Sequence, residues 1–126
     1  MTSETLLLRQ IHPSFMQKGR VTSQAFRPTP KDEHLLSVDN GDRITAHAAW
    51  ARFTSNPSYA SAGVMAVSHE ECTAQQLQVV EDEVPYPEHC YLDFSALERK
   101  EVERKAKQLS SLAQSRGWIF ELSRGS

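Results

Sequence analysis

"SALERKEVERKAKQLSSLAQSRG", residues 95–117, is the stretch that decides the fold class. Ser95 and Glu98 have the spacing of a capping box, so the sequence predicts a helix from Ala96 to about Arg116. The apolar stripe of this helix, at spacings of four, three and four residues, consists of Val102, Ala106, Leu109 and Ala113. A stripe of this kind covers one face only, so the helix needs an apolar surface to pack against.

That surface is predicted to be a sheet of about five or six short strands. The apolar runs "GVMAV" (Gly63–Val67) and "CYLDF" (Cys90–Phe94) are typical of buried strands. The other predicted strands are Thr5–Ile11, His34–Val38, Leu77–Val80 and Trp118–Leu122. Pro28 and Pro30 exclude a regular helix or a central strand between the first two of these.

Two short helices are predicted before the long one. Thr45 is placed to cap a helix over residues 46–53, "AHAAWARF". Ser68 and Glu71 have a second capping-box spacing, so another helix should start directly after Ser68. Strands separated by short helices indicate an α+β fold, in which a mixed sheet carries the two short helices and the long C-terminal one. No linker divides the chain, so residues 1–126 are predicted to form a single globular domain.

The composition is that of a soluble globular protein. The chain is 39% hydrophobic and 24% charged, and no apolar run approaches the roughly 18–20 residues that span a bilayer. Cys72 and Cys90 are too few for a disulfide framework. The N-terminal residues lack the basic start and the long apolar segment of a secretory signal. The sequence therefore predicts a cytoplasmic protein with no membrane contact.

Charge is unevenly distributed along the chain, although the net charge is only −2. Residues 5–31 contain no acid, and their cations are Arg9, Lys18, Arg20, Arg27 and Lys31. Residues 53–98, in contrast, contain no lysine or arginine and hold eight acids. Segregation of this kind marks either two solvated faces or two surfaces with different partners.

The acidic, proline-containing connection "VVEDEVPYPEH" (residues 79–89) carries the leading interpretation. Its prolines reduce the entropy lost when the loop is held in one shape, and its tyrosine offers an anchor for a contact. We therefore predict a small interaction or accessory module that binds a protein with a basic surface. The predicted contact residues are Glu81, Asp82, Glu83, Tyr86 and Glu88. The alternative for this loop is a charged, solvent-facing connection.

An enzymatic alternative is an ADP-ribosyltransferase-like protein that cleaves a nicotinamide dinucleotide. Such an enzyme needs cations for the pyrophosphate, a serine for a ribose and a glutamate that stabilises positive charge on the sugar. The residues of suitable type are Arg9, His12, Ser23, Glu83 and Glu88. The cofactor of this alternative is NAD, whereas the interaction module requires none.

Other ligand classes have weaker support in the sequence. Nucleic-acid binding through the basic N-terminal segment is a further alternative, but the net negative charge and the lack of interleaved aromatic residues argue against it. The five glycines form neither a G-x-G-x-x-G nor a G-x-x-x-x-G-K motif, so no phosphate-binding loop is predicted.

A zinc site or a cysteine nucleophile would have to use the few cysteines and histidines of the chain. His69 and Cys72 share a helix face, but His89 and Cys90 are adjacent and should point to opposite faces of a strand. Paired C-x-x-C or H-x-x-x-H spacings are absent, so no metal site is predicted. Cys72, near a helix N-terminus and beside His69, is the one local candidate for a nucleophile.

Overall fold

The fold, seen in a computed structural model that describes residues 1–29 and 33–122, is built on one six-stranded sheet. The strands in chain order are β1 (Leu6–Gln10), β2 (Met16–Gln17), β3 (Arg20–Val21), β4 (Leu35–Asn40), β5 (Gly63–Ser68), β6 (Gln78–Val80), β7 (His89–Asp93) and β8 (Phe120–Glu121). The main sheet has the order β6-β7-β4-β1-β5-β8, and β2 and β3 form a separate hairpin. A mixed sheet was predicted, but each pairing among the described strands is antiparallel.

Three helices accompany the sheet, which confirms the α+β prediction of two short helices and one long helix. Their bounds are α1 (Ala46–Thr54), α2 (His69–Ala74) and α3 (Arg99–Arg116). The predicted caps of α1 and α2 are present: the Thr45 hydroxyl accepts a hydrogen bond from the Ala48 amide at 3.1 Å. Ser68 and Glu71 form both hydrogen bonds of a capping box.

The predicted start of α3 was wrong by three residues. The Ser95 amide and hydroxyl both donate to the Asp93 carboxylate, at 2.8 and 2.6 Å. Asp93 ends β7 and therefore holds Ser95 in a turn, where it does not cap the helix. Glu98 takes the N-cap position without a capping hydrogen bond from its side chain.

One face of the sheet is covered by α3, α2 and the 3-10 turn Ser23–Phe26. Val102, Ala106, Leu109 and Ala113, the predicted stripe, belong to the same buried cluster as the side chains of this face. The sheet contributes Leu7, Leu36, Val38, Met65, Val67, Cys90 and Leu92 to the cluster. This face is the main core, and packing of α3 on the sheet is confirmed.

The opposite face is only partly covered. Helix α1 packs Ala46 and Ala49 on Leu8, Val64 and Ala66, which lie on β1 and β5. With nine residues, α1 is about 13 Å long, so it does not extend over the whole sheet. The part of this face formed by β4 and β7 therefore lacks a helix and borders an open cleft.

The sheet splits beside this uncovered part. Strand β1 pairs with β5 along its whole length, but it pairs with β4 only at Leu7 and Leu8. Arg9 lies at the split: its Nε donates to the Ala25 carbonyl at 2.7 Å, and its Nη1 donates to the Ser37 carbonyl at 3.0 Å. The guanidinium thus replaces part of the missing backbone ladder.

Candidate functional site

A cleft of about 780 Å³ lies over the uncovered part of the sheet. We use "the cleft" for this cavity, which is bordered by β1, the 3-10 turn Pro13–Phe15, β4, α1 with the turn after it, and the loop at Pro85. This volume is within the range of small-molecule binding sites in proteins. A second cavity, beside α3, has a volume of about 480 Å³. The cleft is larger than that cavity and is the first candidate for a binding site.

The floor of the cleft is polar because of the strand register. Asp39 of β4 lies opposite Leu8 on one side and His89 of β7 on the other, and directly paired residues share a face of a sheet. Gln10 and Ser37 also line the floor. The Gln10 Oε1 atom is buried there without a hydrogen-bond partner. This acceptor is unsatisfied by the described residues, but it is shielded from solvent and is therefore not open to the cleft.

Asp39 is the carboxyl that lines the floor. Burial raises its pKa above the ordinary value, although the charges of Arg52 and His89 act in the opposite direction. Its ion pair with Arg52 Nη2 is long, at 3.4 Å. The carboxylate thus keeps acceptor capacity toward the cleft, and a perturbed acid in a cavity is typical of functional sites.

His89 is oriented by an acid from the loop above it. Its Nδ1 lies 2.6 Å from Asp82 Oδ1, and the ring borders the cleft. A carboxylate at Nδ1 fixes the orientation of the ring. A histidine oriented in this way is a residue type that general acid–base chemistry uses.

Arg52 of α1 joins the helix to the acidic loop. Its guanidinium forms ion pairs with Glu88 and Asp39 and stacks over the Tyr86 ring at 3.8 Å from the centroid. Cation–π stacking and ion pairing together hold Tyr86 as one wall of the cleft.

The other walls are also aromatic. The rings of Phe53 and Tyr59 stack with their centroids 5.0 Å apart. His12 and Phe15 meet edge to face at 5.9 Å. Tyr59 is 53% exposed, so one side of the stacked pair is accessible. Aromatic walls around a polar floor are suited to a flat ligand with polar edges.

The residues of the transferase hypothesis lie in three places. Arg9 and His12 line the cleft, whereas Ser23 lines a separate groove beside α3. Glu83 forms an ion pair with Arg43 at 2.7 Å, and Glu88 forms one with Arg52. The structure therefore brings Arg9 and His12 to one site without Ser23.

The predicted contact residues of the acidic loop have partners inside the molecule. Glu81 accepts a hydrogen bond from Asn40 Nδ2 at 3.4 Å. Asp82 pairs with His89, Glu83 with Arg43, and Glu88 with Arg52. The loop still presents apolar surface, because Val84 is 66% exposed and Tyr86 is 44% exposed. It forms one wall of the cleft as well as an outer surface.

Asp39, Arg52 and the Asp82–His89 pair were not identified from the sequence. The alternation in β4 places Ser37 and Asp39 on one face, and this was a usable signal of a polar face. Their proximity to His89 depends on the pairing of β4 with β7, which joins residues about 50 positions apart and has no local signature.

Both cysteines are buried, which does not suit a nucleophile. Burial raises the pKa of the Cys72 thiol to about 12 and, with nearby acids, that of Cys90 to about 11. The effect of burial on Cys72 thus outweighs any effect of the helix N-terminus. Within residues 1–29 and 33–122, no group of three or more histidine, cysteine, aspartate or glutamate side chains is arranged to hold a metal ion.

The described cations of the basic N-terminal segment, Arg9 to Arg27, lie in different surroundings. Arg9 lies in the split of the sheet, and Arg27 approaches Glu103 of α3 at 4.0 Å. Lys18 and Arg20 are exposed on the hairpin, and Lys31 lies outside the described residues.

In the described part of the chain, no helix has the length and apolar character to cross a membrane. Comparison of the sequence with known protein families and curated proteins, and of the structure with solved structures, finds no match.

Proposed function

We propose that the protein is a binding module whose cleft takes up a small, planar aromatic molecule with N–H or O–H donors on its edge. The observation that carries this proposal is the Asp39 carboxylate on the floor of an aromatic-walled cleft. The Asp39 side chain is 15% exposed, and its ion pair with Arg52 is long, at 3.4 Å. The carboxylate can therefore accept a hydrogen bond from a ligand donor.

The ligand chemistry follows from the two kinds of surface in the cleft. The exposed side of the stacked Phe53–Tyr59 pair offers a face for stacking on a flat ring. The Asp39 carboxylate offers an acceptor on the floor of the cleft, so a bound ring should direct its donors toward β4. Nicotinamide and adenine have this combination of a flat ring and an exocyclic amino group, and both occur in NAD.

The proposal is tested by amide NMR titration with nicotinamide, adenine and NAD, and with cyclohexanol as a non-planar control. The expected result is a shift of amide signals around Gln10, Ser37 and Asp39 with the planar compounds only. Asp39→Asn should weaken binding about tenfold through loss of a charge-assisted hydrogen bond. Lys100→Ala, on the exposed surface of α3, is the matched control and should have no effect. Absence of cleft shifts at about 10 mM of every planar compound, well above the concentration at which weak ligands bind, would refute the proposal.

A second candidate function is contact with a basic protein through the acidic loop. The observation that favours it is the exposure of Val84 and Tyr86 beside the Glu83 carboxylate. Exposed aromatic and apolar side chains next to charge are typical of interaction surfaces. This candidate is tested by the association and dissociation rates of a lysine-rich peptide with wild type, Glu83→Lys and Tyr86→Ala.

A further inference from the structure

A second cavity, separate from the cleft, lies beside α3. It has a volume of about 480 Å³ and runs between the C-terminal half of α3 and the segment formed by β3 and the Ser23–Phe26 turn. We call it "the groove". Its lining residues are Arg20, Val21, Ser23, Lys107, Ser110, Ser111, Gln114 and Ser115.

The charges of the groove have one sign. Its lining includes two cations and no acid. The nearby acids of α3 are engaged elsewhere, because Glu101 pairs with Arg104 at 2.7 Å and Glu103 with Arg99 at 3.3 Å. Among the described residues, neither Arg20 nor Lys107 has a carboxylate within ion-pair distance.

A serine hydroxyl supplies a further donor. Ser110 is only 3% exposed, and its Oγ accepts a hydrogen bond from Gln114 Nε2 at 3.1 Å. That bond uses the hydroxyl as an acceptor, and no described residue accepts the Ser110 proton. A nearly buried hydroxyl with an unassigned proton therefore belongs to the lining of the groove, together with the two cations and three further serines.

We propose that the groove binds the phosphate group of a small phosphate monoester. Phosphate oxygens accept hydrogen bonds from arginine, lysine and hydroxyl groups, and no carboxylate in the groove opposes the anion. Two cations are too few for affinity to nucleic acid, which rests on many phosphate contacts, and the net charge of the chain is −2. This site is independent of the function proposed for the cleft.

The test is amide NMR titration of the intact protein with inorganic phosphate and with glycerol 3-phosphate, using acetate at equal ionic strength as the control anion. Phosphate and the monoester should shift the amides of Ser110, Ser111 and Gln114, whereas acetate should not. Arg20→Ala and Lys107→Ala should each weaken binding about tenfold. Both side chains are exposed, so both variants should keep the melting temperature of the wild type.

Lys100→Ala serves as the matched control, because it removes an exposed cation from α3 outside the groove. Equal weakening by Lys100→Ala and Lys107→Ala would overturn the proposal and indicate a response to net charge alone. Changes of amide chemical shift that are scattered along the chain would overturn the proposal as well. So would changes of equal size on addition of acetate. If a single-stranded oligonucleotide shifts the same amides and binds more tightly than the monoester, the ligand of the groove is nucleic acid and the proposal of a small monoester is overturned. These signals differ from those of Gln10 and Asp39, so failure here is distinguishable from failure at the cleft.

Discussion

Asp39 is an ionisable side chain held in a position that is unfavourable for its charge. Burial raises its pKa, and the partial ion pair with Arg52 does not compensate. A charge that lowers stability and borders a cleft is consistent with a role in binding, since natural proteins often retain such groups at functional sites.

The first prediction is that Asp39→Asn stabilises the protein at pH 7 by about 1 kcal/mol while it weakens ligand binding. Arg52 keeps its second partner, Glu88, in this variant. A carboxyl with a raised native pKa binds its proton more tightly in the native state than in the unfolded chain. Wild type should therefore gain stability relative to the variant as the pH falls from 7 toward about 4.

The measurement is thermal and denaturant unfolding of both proteins across this pH range. A variant that is less stable at pH 7, or a difference that does not shrink on acidification, would show that the ion pair with Arg52 outweighs the effect of burial.

Helix α3 shows how far an amphipathic pattern predicts an element and its packing. Its apolar stripe was sufficient to identify the buried face, because burial on one side follows from a period of 3.6 residues. Its first residue was not predicted correctly, because the competition of Asp93 for Ser95 depends on where β7 ends.

The second prediction uses that face. Leu109→Asp places an unpaired charge in the main core, where Leu109 is fully buried, and should cost several kcal/mol. This is a large part of the total stability of a domain, so the variant should be mostly unfolded or melt at a much lower temperature. Circular dichroism on heating measures the effect.

Gln108→Asp is the matched control, since it introduces the same residue one position earlier on the exposed face of α3. It should change the free energy of unfolding by no more than about 0.5 kcal/mol. Similar melting temperatures for the two variants would contradict the burial of Leu109.

At the scale of the whole molecule, the cleft could not have been read from the sequence. It arises where α1 ends before the sheet does and where β1 parts from β4. Strand order and register decide both features, and both depend on contacts between distant residues. The six strands of the main sheet and the three helices were predictable because apolar runs and amphipathic stripes are local signals, whereas the short β2–β3 hairpin was not predicted.

The third prediction concerns the charge asymmetry of the chain. If the acidic loop contacts a basic protein, a lysine-rich peptide should associate more slowly with Glu83→Lys than with wild type, and salt should reduce the difference. Tyr86→Ala should mainly increase the dissociation rate, because it removes a packed side chain. Stopped-flow fluorescence with a labelled peptide measures both rates.

Glu4→Lys changes the net charge equally and lies outside the loop, so it is the appropriate control. Equal association rates for Glu4→Lys and Glu83→Lys would show that the peptide responds to net charge and does not contact the loop.

The lengths of the outermost strands have a consequence for behaviour at high concentration. Strand β6 has three residues and β8 has two, and they form the two edges of the main sheet. Strand β8 pairs only with Gly63 and Val64, so among the described residues the outer edge of β5 beyond Val64 has no neighbouring strand. A side chain closes part of that edge, because Arg116 Nη1 donates to the Ala66 carbonyl at 3.0 Å. Strand β1 lies between β4 and β5 and pairs with β5 along its whole length. The interior position of β1 therefore limits its pairing with another chain, and Arg116 limits that of β5.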